Sequence, residues 1–366
     1  MVEVGLKRVT YIDWMRGLAC VVMIETHCYN SWLDADGKKS EFYRYSQMGG
    51  TLPAPLFIFL AGVSVALVTE KLRAKGVQRG AIAKQVIWRG AEVFALGLLF
   101  RVQEFVLGIP ISPWTDLLRV DVLNILGVSM ILLGALCWAA GGSGSAVVVR
   151  TRNLVLAVMA AATVAMATPA LWTTWRPRFL PWEVESYVNG IHIFDQPQVW
   201  LFPIFPWAGF ALVGLAVGFW LFTDFAKKRE GASFLILGAA GVAAFCGALA
   251  LDRWGVRLYA VYDYWHTSPN FFLARCGVLV VILCAVYAWC RWGLGEAGFS
   301  PVEQLGKTSL LVYWVHIEFV YGRLSILPKG RCGIAAATAG MAVIFLAMLG
   351  MSVARTRWKE KRARVA

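Results

Sequence analysis

The sequence contains few charged residues for its length. Asp, Glu, Lys and Arg make up 16% of its 366 residues, whereas hydrophobic residues make up 59% and the mean hydropathy is +0.62. Ordinary soluble proteins have about 25% charged and roughly 45–50% apolar residues. A water-soluble fold of this size has no means of burying so much apolar surface. The composition therefore excludes a disordered chain, a secreted disulfide scaffold and a cytosolic enzyme. It predicts an all-α polytopic membrane protein.

Several informative patterns are also absent. The eight Cys show no CxxC pair and no zinc-ligand spacing, so we predict no metal site. No small-residue cleavage site follows the apolar run Leu18–Ile24, which favours a first transmembrane helix over a signal peptide. No internal repeat is visible, which weakens the case for a transporter built from duplicated halves.

Long apolar segments dominate what remains. A helix that crosses the hydrocarbon core needs about 20 mostly apolar residues. Ten segments meet this requirement and predict a single transmembrane domain over residues 1–366. The predicted spans are approximately 11–31, 53–69, 86–107, 118–140, 153–175, 199–222, 233–251, 270–290, 307–327 and 333–354.

The Lys and Arg residues are unevenly distributed among the segments that connect these spans. Of the 35, 20 lie in the segments on one side, which include both termini, and nine lie on the opposite side. Because cytoplasmic segments carry the excess of Lys and Arg, both termini are predicted to be cytoplasmic. This excess of Lys and Arg on the cytoplasmic side of the bilayer explains the net charge of +13, so the charge requires no nucleic acid partner.

Ionisable and strongly polar residues occur inside the predicted spans, where they are energetically unfavourable and normally mark a working site. They are Arg16, Arg89, Arg101, Arg119, Arg275, Arg323, Asp13, Glu25, His27, Glu92, Glu104, Asp121, Asn124, His316 and Glu318. Two pairs, Arg89 with Glu92 and Arg101 with Glu104, are three residues apart and could equally neutralise each other within a helix.

The first predicted helix carries three of these residues on one face. At 100° per residue, Asp13, Arg16 and His27 fall within an arc of about 80°. Arg16 and His27 are eleven residues apart, or about 16 Å along the helix. This stripe predicts a two-sided site, with Arg16 and Asp13 as candidates for binding a phosphorylated donor at the inner end. Arg89, on the third predicted span, is a further candidate for the same role. His27, near the outer surface, is the candidate for proton transfer.

Further candidates lie on other helices and loops. His316 shares a face of the ninth helix with Tyr313 and is predicted near mid-membrane, at a different depth from His27. Trp265 and His266 occur in the aromatic sequence YDYWHTSPN, which could line a platform for a sugar. The candidates for orienting His27, binding an acceptor or stabilising an oxyanion are Arg101, Arg119, Asp121 and Asn124. Glu25 and Arg275 are further candidates for binding the acceptor.

Four segments resemble one known family. The opening RVTYIDWMRGLACVVMIETH resembles the first helix of the transmembrane acyltransferase superfamily, whose bacterial members carry a basic residue and a His there, matched by Arg16 and His27. PAPLFIFLAGVSVAL from Pro53, FPIFPWAGFALVGLAVG from Phe202 and LGKTSLLVYWVH from Leu305 are similar to the heparan-α-glucosaminide N-acetyltransferase-like branch. The resemblance implies ten or eleven helices in the bacterial inner (plasma) membrane. It also implies acetyl-CoA as cytoplasmic donor and a carbohydrate acceptor, such as an amino sugar, on the far side.

These observations lead to one principal hypothesis and two alternatives. In the principal hypothesis, His27 is the general base for acetyl transfer, with His316 and Asp121 as further catalytic candidates. Direct transfer in a ternary complex and an acetyl-His intermediate both fit. A secondary transporter or exporter of a polar metabolite would also place charges within the membrane. A di-haem cytochrome would need paired His on facing helices, which the different predicted depths of His27 and His316 disfavour. Exposed apolar faces on ten helices make a homodimer reasonable.

Overall fold

The computed structural model describes residues 9–110, 112–175, 179–189, 202–255, 258–259, 263–293, 295 and 298–365. Within these residues the regular structure is helical, apart from one isolated parallel bridge between Leu33 and Cys332. Two short 3-10 helices, Gly37–Lys39 and Trp114–Leu118, precede the second and fifth α-helices. The α-helices are α1 (Thr10–Trp32), α2 (Glu41–Gly50), α3 (Pro53–Ala74), α4 (Arg79–Gly108), α5 (Val122–Ala140), α6 (Ala146–Thr173), α7 (Trp182–Asn189), α8 (Ile204–Leu221), α9 (Asp224–Lys228), α10 (Glu230–Arg253), α11 (Pro269–Trp292), α12 (Pro301–Lys307), α13 (Ser309–Val320) and α14 (Ile334–Val365).

These helices confirm the prediction of an all-α polytopic membrane protein. Seven helical segments of the described chain are long and apolar enough to cross a bilayer. α1 and α4 are not among the seven, and both carry several of the ionisable residues singled out above. Helices lie on all ten predicted spans, although α13 covers only part of the ninth and residues 199–201 at the start of the sixth fall outside the described residues.

The ninth predicted span, 307–327, differs from the observed helices. Helix α12 begins earlier, because Ser300 caps its N-terminus through the Glu303 amide and Pro301 occupies a first-turn position. The helical geometry is interrupted at Thr308 (φ −128°), and α13 ends at Val320. His316 consequently lies near the C-terminal end of this helix pair instead of its middle.

The described chain forms two compact units. Unit 1 combines the two ends of the chain, up to Leu56 and from Ile282 onward, and unit 2 comprises Phe57–Val281.

In unit 1, helices α1 and α12 cross with almost no space between their backbones. A Cβ atom on Gly17 would overlap the carbonyl group of Val302, and one on Gly306 would overlap the carbonyl group of Asp13. Small residues allow this approach, as at many helix contacts in membranes. The crossing fixes the N-terminal half of α1, including Asp13 and Arg16, against α12.

In unit 2, helices α3 and α8 make an equivalent close crossing. A Cβ atom on Gly62 would overlap the carbonyl group of Ala211, and one on Gly214 would overlap that of Phe59. α3 also contacts α6 through a buried carboxylate, because Glu70 accepts a 3.0 Å hydrogen bond from Nε of Arg150. Arg73 forms a second ion pair with Glu70.

Candidate active site

Two imidazole rings meet in unit 1. Nδ1 of His27 on α1 lies 2.9 Å from Nε2 of His316 on α13, and the two ring planes differ by only 5°. Nδ1 of His316 lies 2.7 Å from the carbonyl oxygen of Val312, one helical turn earlier. His316 is completely buried, whereas His27 is half-buried. The pair is therefore linked to the α13 backbone on one side and reaches a partly accessible position on the other.

These contacts determine the hydrogen positions when both rings are neutral. A carbonyl oxygen only accepts hydrogen bonds, so Nδ1 of His316 must donate to Val312 and its Nε2 must be an acceptor. Nδ1 of His27 then donates to that Nε2. The lone pair of His27 is consequently on Nε2, which forms no hydrogen bond to any described residue. This nitrogen has the form required of a general base.

Polar and aromatic residues border His27. The Tyr321 ring packs edge-on against the imidazole, with ring centres 5.2 Å apart. Nδ2 of Asn30 donates to the Tyr321 hydroxyl at 3.0 Å, and the Tyr43 hydroxyl donates to Oδ1 of Asn30 at 3.4 Å. The sequence analysis did not identify Asn30, Tyr43 or Tyr321. Asn30 could have been identified, because it follows His27 by three residues and so shares its helix face.

The structure corrects the depth predicted for His316. We placed it near mid-membrane and away from His27, but the two rings are in direct hydrogen-bond contact. The error came from treating 307–327 as one helix, whereas α12 and α13 together end at Val320. Because the rings bond to each other, they do not flank a space for iron, and this geometry offers no support to the di-haem alternative.

Arg16 and Asp13 lie toward the other end of α1. Nη1 of Arg16 is 3.3 Å from Oδ1 of Asp13, and the exposed fractions of the two side chains are 31% and 6%. The predicted stripe is thus present on one continuous helix with Arg16 and His27 separated along its axis. Asp13 acts directly on Arg16 by holding its guanidinium.

The candidates at the start of α5 form a network within unit 2. Nη2 of Arg101 lies 2.6 Å from Glu104 and 3.0 Å from Asp121. Asp121 also caps α5 by accepting from the Val122 amide at 2.7 Å. Asn124 completes a capping box, since its Oδ1 accepts from the Asp121 amide. Asp121 therefore has a clear structural role, and its catalytic role stays a prediction.

Three other cationic candidates in unit 2 have different environments. Arg89 pairs with Glu92 at 2.8 Å, and both side chains are largely exposed. Arg119 is half-buried, and within the described chain its side chain forms no ion pair and its Nε has no hydrogen-bond partner. The guanidinium of Arg275 stacks over Phe271, 4.1 Å from the ring centre.

The predicted aromatic platform is partly assembled. The rings of Tyr264, Trp265 and Phe271 contact one another with centres 5.0–5.3 Å apart. Burial, with a smaller contribution from Asp252, raises the pKa of Tyr264. His266 is exposed, and its Nδ1 lies 2.7 Å from Oδ2 of Asp263. Glu25, in unit 1, is half-buried and forms no hydrogen bond or ion pair with the described residues.

The fold and the site together define a class of protein: an all-helical membrane protein with an oriented imidazole near one end of a helix. The chain belongs to the family described as heparan-alpha-glucosaminide N-acetyltransferase, catalytic, whose model matches residues 8–254. This confirms the resemblance, and three of its four motifs lie in the matched range, whereas the fourth, from Leu305, lies beyond it. The matched range contains His27 but ends before His316.

One curated relative illustrates the extent of the similarity. The chain is 26% identical over 134 residues to heparan-alpha-glucosaminide N-acetyltransferase of Mus musculus. The match covers 36% of this chain and 19% of the mouse protein.

Proposed function

We propose that this protein transfers an acetyl group from acetyl-CoA to an amine or hydroxyl of a carbohydrate acceptor, such as an amino sugar or a glycan. The observation that carries the proposal is the hydrogen-bond chain from Val312 through His316 to His27, which leaves a lone pair on Nε2 of His27. Membership of an acetyltransferase family supports the same reaction class.

His27 acts as the general base in this proposal. Its Nε2 accepts the proton from the acceptor N–H or O–H while the acceptor atom bonds to the acetyl carbon. The carbon–sulfur bond of the thioester then breaks, and the protonated His27 returns its proton to the departing thiolate. As His27 becomes charged, its Nδ1–H bond to His316 becomes charge-assisted and therefore stronger. An acetyl-His27 intermediate would use the same Nε2 as nucleophile.

The donor is assigned to the inner half of α1. The Arg16 guanidinium is about one-third exposed and held by Asp13, which suits a cation that contacts a phosphate group. Arg89 on α4 remains a further candidate for the same role. Acetyl-CoA supplies the activated acetyl thioester. Its extended pantetheine arm, about 15–20 Å long, matches the distance along α1 between Arg16 and His27.

The acceptor is assigned to residues that suit a polar, ring-shaped molecule. Aromatic faces stack on sugar rings, and Trp265 is 59% exposed beside Tyr264. Arg119 and Arg275 offer guanidinium groups without an ion pair in the described chain, so they suit sugar hydroxyl or acidic groups. The remaining acceptor candidates are Arg101, Asn124, Glu25 and His266.

We place the protein in a bacterial inner membrane, with both termini cytoplasmic, and propose that it can form a homodimer. The Lys and Arg distribution supports this orientation. In this orientation, the donor reaches the inner half of α1 from the cytoplasm, and the acceptor reaches the end that carries His27 from the opposite side.

The test is an acetyl-transfer assay with purified protein, radiolabelled acetyl-CoA and a panel of amino sugars, glycosides and water. Wild type should label at least one sugar, and His27→Ala should lose roughly 10²- to 10⁴-fold in rate while still binding acetyl-CoA. Cys28→Ala is the matched control, since Cys28 is a buried neighbour outside the hydrogen-bond chain. More than one-tenth of the activity in His27→Ala would refute its role. Failure of the wild type to bind acetyl-CoA would favour the transporter.

A further inference from the structure

A cavity in unit 2 is not used by the proposed reaction. Its volume is about 530 Å³, and the ends of α3, α4, α5 and α6 line it. The lining residues belong to segments around 69–83 and 137–153, which contain two of the connections predicted to be cytoplasmic. The cavity therefore opens toward the predicted cytoplasmic face.

Three guanidinium groups surround one side of this cavity. Arg73 and Arg79 line it directly. A Cβ atom placed on Gly142, another lining residue, would lie 2.9 Å from Nη1 of Arg152 and 4.0 Å from Nη1 of Arg79. Arg79 lies over the ring of Trp138, 5.5 Å from its centre, which restrains the guanidinium beside the cavity.

Glu70, an acidic residue near the cavity, neutralises only part of the positive charge of these arginines. Glu70 is 5% exposed and already binds Arg150 and Arg73. Arg79 and Arg152 form no ion pair with any described residue, although Arg152 donates to the carbonyl oxygen of Ala140 at 3.1 Å. The cavity thus has an excess of positive charge, and such a site attracts an anion.

The backbone adds to this preference. Residues 141–144 are Gly-Gly-Ser-Gly, and Gly144 has φ +139°, which favours glycine. Helix α6 begins directly afterwards, with Ser145 as its N-cap. Nη2 of Arg73 lies 3.4 Å from the carbonyl oxygen of Ala146, so the cationic cluster and the helix start are adjacent. Glycines admit a ligand close to the backbone, and a helix N-terminus favours negative charge.

We propose that this cavity binds a phosphate-bearing ligand from the predicted cytoplasmic side, with Arg79 and Arg152 as its principal cationic contacts. A soluble phosphate ester and the headgroup of an anionic phospholipid present the same chemistry and differ only in source. The proposal rests on the cavity in unit 2 and does not depend on acetyl transfer or on His27.

The soluble source is tested by calorimetric titration of pyrophosphate and of ADP into protein in phosphatidylcholine nanodiscs. Arg79→Gln should weaken binding about tenfold or more, because it removes a charge-assisted contact without leaving a buried acid unpaired. Arg79→Lys, which retains the charge, should give an intermediate affinity. Lys84→Gln is the matched control, since it removes one exposed charge from the same helix outside the cavity.

The lipid source is tested by native mass spectrometry of protein from nanodiscs that contain phosphatidylglycerol. Retention of this lipid by wild type and Lys84→Gln, but not by Arg79→Gln, would identify a headgroup site. His27→Ala should behave as wild type in both experiments. The proposal is overturned if neither source binds, or if Lys84→Gln weakens binding as much as Arg79→Gln.

Discussion

At the residue scale, His316 is distinguished from His27 by its accessibility. His316 is completely buried and bonded at both ring nitrogens, so it cannot itself take the proton from an acceptor. Its proposed role is to position His27 and to accept the hydrogen bond that fixes the lone pair on the opposite nitrogen. We therefore propose it as a positioning residue, whereas the sequence analysis placed it among the catalytic candidates.

Replacing His316 should separate these roles. His316→Ala should lower kcat by between about ten- and a hundred-fold with little change in KM, because His27 remains but loses its orienting acceptor. His316→Gln should recover part of the loss, since an amide oxygen can accept from Nδ1 of His27. Steady-state kinetics of the two variants would check this. Equal losses in both variants would indicate that His316 acts only by filling space.

Asp121 permits a similar separation. Asp121→Asn should retain the capping of α5 but weaken the ion pair with Arg101, whereas Asp121→Ala should lose both. If the role is structural alone, the thermal midpoint should fall more in Asp121→Ala than in Asp121→Asn, and acetyl transfer by the folded fraction should be unchanged. A rate loss in Asp121→Asn at unchanged midpoint would instead support a catalytic role.

The sequence analysis singled out both imidazole side chains of the candidate site but did not predict that they contact each other. Polar residues within spans are conspicuous because the bilayer penalises them, and this criterion found both His27 and His316. Their contact was not predictable, since it depends on where α13 ends and spans 289 positions of the chain. The Val312 carbonyl oxygen was also beyond prediction, because every residue carries one and side-chain type gives no indication of its use.

At the element scale, the α1–α12 crossing should tolerate no added atoms. Gly17→Ala places a methyl group on the Val302 carbonyl, so the helices must separate, at a cost of about 1–3 kcal/mol. The expected result is a lower thermal midpoint and reduced acetyl transfer, because α1 carries His27. Gly350→Ala, on α14, is the control: a Cβ there has no neighbour within 4 Å. A Gly17→Ala protein as stable as Gly350→Ala would contradict the described crossing.

Most helices were predictable as elements, whereas their ends were not. Apolar runs near 20 residues long, such as the one on α10, are sufficient to locate a helix. The run 307–327 was misplaced because the capping signal Ser300-Pro301 precedes the apolar segment, in a stretch that we assigned to a loop. Helices α2, α7 and α9 were also missed, since all three lie outside the apolar spans from which helices were predicted.

At the scale of the whole molecule, the orientation in the membrane is open to a direct test. A C-terminal green fluorescent protein fusion should fluoresce, and a C-terminal alkaline phosphatase fusion should be inactive, because the basic tail is predicted to remain in the cytoplasm. Fusions after residue 269 should give the reverse pattern, since residues 252–269 are predicted to be extracytoplasmic. The reverse result at the C-terminus would contradict the predicted orientation.

The composition of unit 1 from both ends of the chain has a consequence for synthesis. α1, with Asp13, Arg16 and His27, is synthesised before the ribosome reaches Gly306 or His316. A polypeptide arrested between residues 292 and 316 contains every helix of unit 2 yet has no imidazole pair. The His27 imidazole thus acquires its hydrogen-bond partner only after residue 316 has been synthesised, late in translation.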